Sequence, residues 1–224
     1  MRALFVTGTG TDIGKTYVSA AIASYMTGRN YNLAYYKAAV SGSADIESSD
    51  AGFVKQRAAL VQDTSSLLSY LYREPLSPHL VARQENRFAS LERIKNDFSR
   101  LAEKYDYVLS EGAGGIVCPV VYESGCRIFY ADIIKALNVP CVIVADAGLG
   151  TINHTVLTYE YLKNHGMRVK GVILNRYDDK SLMHRDNLHM IEEITAQRVI
   201  ATVGTDDSMP SLREKPLEDY FDEV

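Results

Sequence analysis

The sequence predicts a single α/β domain over residues 1–224, with a mostly parallel β-sheet, helices on both faces and a phosphate-loop (P-loop) fold. Three observations carry that prediction. The apolar run Ala3-Leu4-Phe5-Val6 leads into a glycine-rich turn that ends in Gly14-Lys15-Thr16, and Val18, Ala21, Ile22 and Tyr25 follow at helical spacing. Short apolar runs near residues 32–37, 106–110, 139–145, 169–174 and 197–203 alternate with segments long enough for helices. Such alternation gives a parallel sheet joined by right-handed crossovers and covered on both sides. Several runs end in Lys, Glu, Asn or Gly, so those residues should share the carboxyl edge of the sheet, where open α/β sheets bind ligands.

The first turn, Thr7-Gly8-Thr9-Gly10-Thr11-Asp12-Ile13-Gly14-Lys15-Thr16, has the residue types that a phosphate requires. Glycines let the backbone approach an anion. N–H groups at a helix start point at it, and the helix dipole favours negative charge there. Lys15 supplies a point charge to the β- and γ-phosphates, and Thr16 a hydroxyl to Mg²⁺. The spacing departs from the usual form, because Thr9 stands where the first glycine belongs and Gly8 lies one residue early.

Composition narrows the class. Hydrophobic residues make up 46% and charged residues 23%, as in a soluble globular protein with a real core. The net charge of -4 and the lack of a basic run argue against a nucleic-acid surface. No apolar run approaches the ~20 residues of a membrane span. The start runs directly into the first strand, which leaves no cleavable leader and points to the cytoplasm. Cys118, Cys126 and Cys141 lack paired short spacing and fit reduced thiols, with Cys141 a small core residue. His184 and His189 are spaced poorly for one helix face, which disfavours a zinc site.

Along the chain, the second strand, residues 32–37, ends in Lys37 and is followed by Ser41-Gly42. Lys37 is either a surface lysine or a ligand lysine. Residues 43–52 form a polar loop that enters a helix over 51–60. Asp50 there is either a helix-start residue or a metal carboxylate. Two prolines make residues 74–79 a fixed loop. Residues 90–104 form an amphipathic helix with Leu91, Ile94, Phe98 and Leu101 inward. The strand at 106–110 delivers Glu111-Gly112-Ala113-Gly114-Gly115. A phosphate-loop enzyme needs a second acid there for its metal, and the glycines permit close approach to a ligand. The run at 139–145 is followed by a glycine turn and a helix start at Gly150, Thr151 and Asn153. The next strand ends in Asn175-Arg176. Residues 210–224 are acidic and predict a short surface helix.

Taken together, these motifs resemble the dethiobiotin synthetase family. The resemblance rests on the loop at 7–16, Lys37 with Ser41-Gly42, Ser49-Asp50-Ala51, Pro75-x-Ser77-Pro78-His79, Glu111-Gly112-Ala113-Gly114-Gly115, Gly150-x-Ile152-Asn153-His154 and Asn175, in that order. It covers residues 1 to about 176. It implies a cytoplasmic homodimer that closes 7,8-diaminopelargonate with CO₂ and ATP into dethiobiotin, in biotin synthesis. Implied roles follow residue by residue. The amides of Asp12, Ile13, Gly14, Lys15, Thr16 and Tyr17 hold phosphates, and Thr16, Asp50 and Glu111 hold Mg²⁺. Lys37 and Lys15 stabilise carbamate and phosphoryl charge, with Thr11 and Ser41 beside the substrate. Gly112, Ala113 and Gly114 approach the nucleotide, and Asn175 with Arg176 receives the adenine. Gly150, Thr151 and Asn153 from the second subunit receive the carboxylate tail.

Three departures from the family pattern stand out: Gly10 in place of a frequent Asp, Ala38 in place of a frequent Pro, and Val203-Gly204-Thr205 in place of Gly-x-Ile-Pro. The last leaves nucleotide preference open. The rival class is a regulatory partition or division ATPase of related fold. Its signature lysine falls where this chain has Gly10, and its basic membrane helix has no counterpart in the acidic stretch 217–223.

Overall fold

The computed structural model describes residues 1–224. In chain order the elements are β1 (Arg2–Gly8), α1 (Lys15–Thr27), β2 (Leu33–Ser41), α2 (Asp50–Arg57), β3 (Leu68–Tyr72), α3 (Pro78–Gln84), α4 (Leu91–Ala102) and β4 (Tyr107–Glu111). A small hairpin of β5 (Pro119–Glu123) and β6 (Cys126–Phe129) precedes α5 (Tyr130–Leu137). Then come β7 (Cys141–Asp146), α6 (Thr151–Asn164), β8 (Val169–Asn175), α7 (Leu182–Thr195), β9 (Val199–Val203), β10 (Ser211–Leu212) and β11 (Asp222–Glu223).

The main sheet runs β10-β9-β8-β7-β1-β4-β2-β3, and β11 pairs with the start of β1. Pairing is parallel from β9 to β3, and only β10 and β11 are antiparallel. Alternate residues of a strand face opposite sides. Leu4, Val6 and Tyr35 accordingly join one buried cluster with Val18 and Ile22 of α1 and Val54 of α2. Ala3, Phe5 and Tyr36 join the other, with Phe98 of α4, Ile134 of α5, Leu162 of α6 and Ile191 of α7. Helices therefore cover both faces.

The structure corrects several boundaries. Lys37 is not at the end of its strand. β2 continues to Ser41 and pairs with β3 through Ala39, Val40 and Ser41. With Ala38 rather than proline, nothing removes a ladder donor there. The fixed loop ends at Ser77, and Pro78 opens α3, as suits a residue whose φ is preset for a first helical turn. The acidic end is not a surface helix. Leu217, Tyr220 and Phe221 are buried beneath β1 and α1, and the helical part there is a single 3₁₀ turn between β10 and β11. Its acids are used locally: Glu218 accepts from the Tyr31 hydroxyl at 2.6 Å, and Asp222 pairs with Lys170 at 2.5 Å.

Candidate active site

The carboxyl ends of β1, β2, β4 and β8 converge around the phosphate loop. The loop turns sharply through left-handed backbone at Asp12 (φ 59°) and Gly14 (φ 84°). Gly14 also caps α1, and no side chain bonds to the helix's first N–H groups. Amides left free in this way form an anion site. A Cβ at Gly14 would lie 2.0 Å from Asn175 Nδ2. Asn175, at the end of β8, donates from Nδ2 to the Ile13 carbonyl at 2.9 Å and braces the loop from below. Its Oδ1 is buried without a partner. Arg176 donates to the Asp12 carbonyl at 2.9 Å and pairs with Asp146 at 2.5 Å.

Behind the loop lies a charged cluster. The β2–β4 register sets Lys37 directly opposite Glu111. Lys37 is 2% exposed and Glu111 is fully buried. The Lys37 ammonium donates to Glu111 Oε1 at 2.8 Å and to Asp50 Oδ2 at 2.5 Å. Thr16 donates its hydroxyl to the same Glu111 oxygen at 2.8 Å. Burial alone would lower the Lys37 pKa, but Glu111 and Asp50 together outweigh it and raise it. Lys15 differs: burial pulls it down, and Glu111 offsets this only in part. Its ammonium donates to the Gly10 carbonyl at 2.6 Å. Burial would raise Asp50, but the Lys37 charge outweighs it and holds Asp50 below its usual value. Two lysines thus face two carboxylates, and the cluster is balanced in charge.

Thr11, Asp12, Gly14, Lys15, Thr16, Lys37, Ser41, Asp50, Glu111, Ala113, Gly114 and Arg176 line one cleft of about 780 Å³. Ile13, Tyr17, Gly112 and Asn175 lie just outside its walls. The Tyr17 hydroxyl donates to the Asp207 carbonyl at 2.7 Å, which ties α1 to the loop after β9. Val40, Pro75 to Pro78 and Cys118 complete the lining. Val40, Cys118 and the Pro75–Pro78 stretch are wall residues that sequence reasoning did not assign to the site; the spacing of Cys118 carries no motif. Gly150, Thr151 and Asn153 do not reach this cleft. Thr151 is buried, whereas Gly150 and Asn153 are exposed at the start of α6. Thr16, Asp50 and Glu111 form an all-oxygen donor set, the hard chemistry that Mg²⁺ prefers.

This sheet, loop and acid–lysine cluster define a phosphate-loop nucleotide-binding protein. Residues 2–210 match a family described as an AAA domain. The chain is 48% identical over 221 residues to the ATP-dependent dethiobiotin synthetase BioD of Brachyspira hyodysenteriae, covering 99% of each. It is 42% identical over 229 residues to that of Clostridium novyi, covering 99% of this chain and 94% of the relative. The chain belongs to the dethiobiotin synthetase family. Among solved structures, a ParA family ATPase from Chlorobium tepidum superposes with a TM-score of 0.56 at 17% identity, covering 92% of this chain and 85% of that one. MinD of Aquifex aeolicus gives 0.56 at 15% identity, covering 92% and 83%. These share the fold alone. The partition or division reading therefore keeps the architecture but is not favoured as the function.

Proposed function

We propose that this protein closes 7,8-diaminopelargonate with CO₂ and ATP into the cyclic urea of dethiobiotin, releasing ADP and phosphate, as a Mg²⁺-dependent cytoplasmic homodimer. The observation that carries this reading is Lys37, a buried ammonium between two carboxylates, one of which also takes the phosphate-loop hydroxyl. Little covalent work falls to such a protein. It positions groups and stabilises developing charge.

One substrate amine adds to CO₂ and loses a proton, giving a carbamate. Its oxygen attacks the γ-phosphorus, and ADP leaves. The second amine then attacks the carbonyl carbon of the mixed anhydride, and the ring closes as phosphate departs and a proton is lost. Lys15 and the amides of α1's first turn hold the phosphates. The Lys37 ammonium faces the carbamate oxygen and the charge that grows on the transferring group. Thr11 and Ser41 flank the substrate. Thr16, Asp50 and Glu111 would hold Mg²⁺, which neutralises β- and γ-phosphate charge when bound. The unpaired Asn175 Oδ1 suits the 6-amino donor of adenine. The direct test is ADP release that requires both diaminopelargonate and bicarbonate. ADP release independent of both would defeat the reading.

The substrate tail is assigned to Gly150, Thr151 and Asn153 of the partner subunit. Two features support a shared site. The turn opens α6 with Gly150 at φ 90° and no side-chain cap. Leu149 (93% exposed) and Leu157 (62%) stand beside it, apolar groups of the kind a partner covers. Thr151→Glu should raise KM for the diamino acid by tenfold or more and leave ATP binding intact, because like charges repel in a poorly solvated site. Mixing Lys37→Ala and Thr151→Glu proteins, with subunit exchange and at a diamino acid concentration too low for either variant alone to turn over, should restore about half the wild-type activity per heterodimer. No recovery after proven exchange would assign the tail to a site within one subunit.

A further inference from the structure

Glu111 uses its two oxygens differently. Oε1 accepts from Thr16 and Lys37, each at 2.8 Å. Oε2 accepts from the Tyr35 hydroxyl at 2.9 Å. Tyr35 is fully buried, two residues before Lys37 on the same face of β2, and it pairs across with Leu109, two before Glu111. Its backbone is fixed in turn by a side chain. The buried Gln62 amide accepts from Tyr35 N–H at 2.7 Å and donates to Tyr35 C=O at 2.9 Å. That amide imitates a ladder partner that β3 supplies only from Lys37 onward. Neither Tyr35 nor Gln62 lines the cleft, so neither touches substrate.

We propose that Tyr35 is a positioning residue of this site: by holding Oε2 of Glu111, it leaves Oε1 as the oxygen presented to Thr16, Lys37 and a Mg²⁺–nucleotide. The inference rests on the reading that the protein uses Mg²⁺ and ATP. The physical reason is that a fully buried carboxylate keeps a fixed orientation only when both oxygens have donors. Without the phenol, the carboxylate is free to rotate about its last bond and share Thr16 and Lys37 between its oxygens. Groups that orient a metal ligand in this way typically matter 10- to 100-fold in metal affinity.

Tyr35→Phe removes one oxygen and keeps the ring. Calorimetric titration of Mg²⁺ into the protein–ADP complex should show Kd raised about tenfold. The kcat should fall by a similar factor, while KM for the diamino acid stays unchanged. Tyr36→Phe is the control. Tyr36 is as buried, lies on the opposite face of the strand, and bonds Ser69 at 2.6 Å and the Ile94 carbonyl at 3.2 Å. It should lower Tm and leave the Mg²⁺ Kd unchanged. An unchanged Kd in Tyr35→Phe, or an equal shift in both variants, overturns the inference. In a Glu111→Gln background, adding Tyr35→Phe should cost no further Mg²⁺ affinity. Additive losses there would also overturn it, and this comparison stands even if Tyr35→Phe alone folds poorly. Wild-type protein that binds Mg²⁺ and ADP without diaminopelargonate-dependent turnover would instead defeat the proposed reaction and leave the role of Tyr35 standing.

Discussion

Lys37→Ala is expected to lower kcat by about 10³-fold or more while ATP binding changes little, the pattern of an interaction made in the transition state. The same change should weaken the fold. Lys37 is the counter-charge to Glu111, which is fully buried, and to Asp50, whose side chain is 52% exposed. Breaking a buried ion pair from one side costs about 3–5 kcal/mol. Water screens Asp50, so Glu111 carries most of that cost. At about 2–4 °C per kcal/mol for a chain of this size, Tm should drop by roughly 10 °C. Added Mg²⁺ should recover part of the Tm and none of the kcat, because it replaces the charge and not the ammonium donor. Near-normal turnover in the variant would remove Lys37 from the chemistry.

Gly14→Ala should abolish nucleotide binding, with Kd for ATP raised at least 100-fold. Two effects combine. A left-handed backbone costs a non-glycine residue about 1–2 kcal/mol, and the added methyl would overlap Asn175 Nδ2. To relieve the overlap, Asn175 must leave the Ile13 carbonyl or the loop must open, and either change moves the amides proposed to hold phosphate. Gly10→Ala is the contrast. A Cβ at Gly10 meets nothing within 4 Å, and its φ is not positive. Binding within about twofold of wild type is expected there. Equal losses from both substitutions would show that loop flexibility, and not the Asn175 contact, makes the glycine necessary.

The phosphate loop was legible because its signal is local: an apolar strand, a glycine turn and Gly-Lys-Thr lie in a row. Glu111 and Asn175 were legible because each ends an apolar run, and a parallel sheet gathers such ends on one edge. Lys37 was placed with the right neighbours but at the wrong point of its strand, since Ala38 and Ala39 are weak strand formers and only pairing with β3 extends the ladder. β3 itself escaped notice because Leu68-Ser69-Tyr70-Leu71-Tyr72 does not alternate cleanly between apolar and polar residues. The acidic end was misread because three buried apolar residues hide among charges. Tyr35 and Gln62 could not be read at all. Gln62 lies 27 positions from Tyr35, and Tyr35 lies 76 from Glu111, so their roles exist only through space.

The place of β1 in the sheet bears on how the protein is made. β1 leaves the ribosome well before its neighbours β4 and β7, with Leu4 opposite Leu109 and Phe5 opposite Cys141. At about 5–20 residues per second, the partners of Leu4 and Phe5 arrive roughly 5–30 s later. Through that interval Leu4, Phe5 and Val6 form an apolar segment with no ladder to join. The segment beneath the phosphate loop is thus a sticky patch of the nascent chain until β4 and β7 arrive. Slowed translation between β1 and β4 should increase its capture by chaperones before the mature enzyme's stability has any bearing.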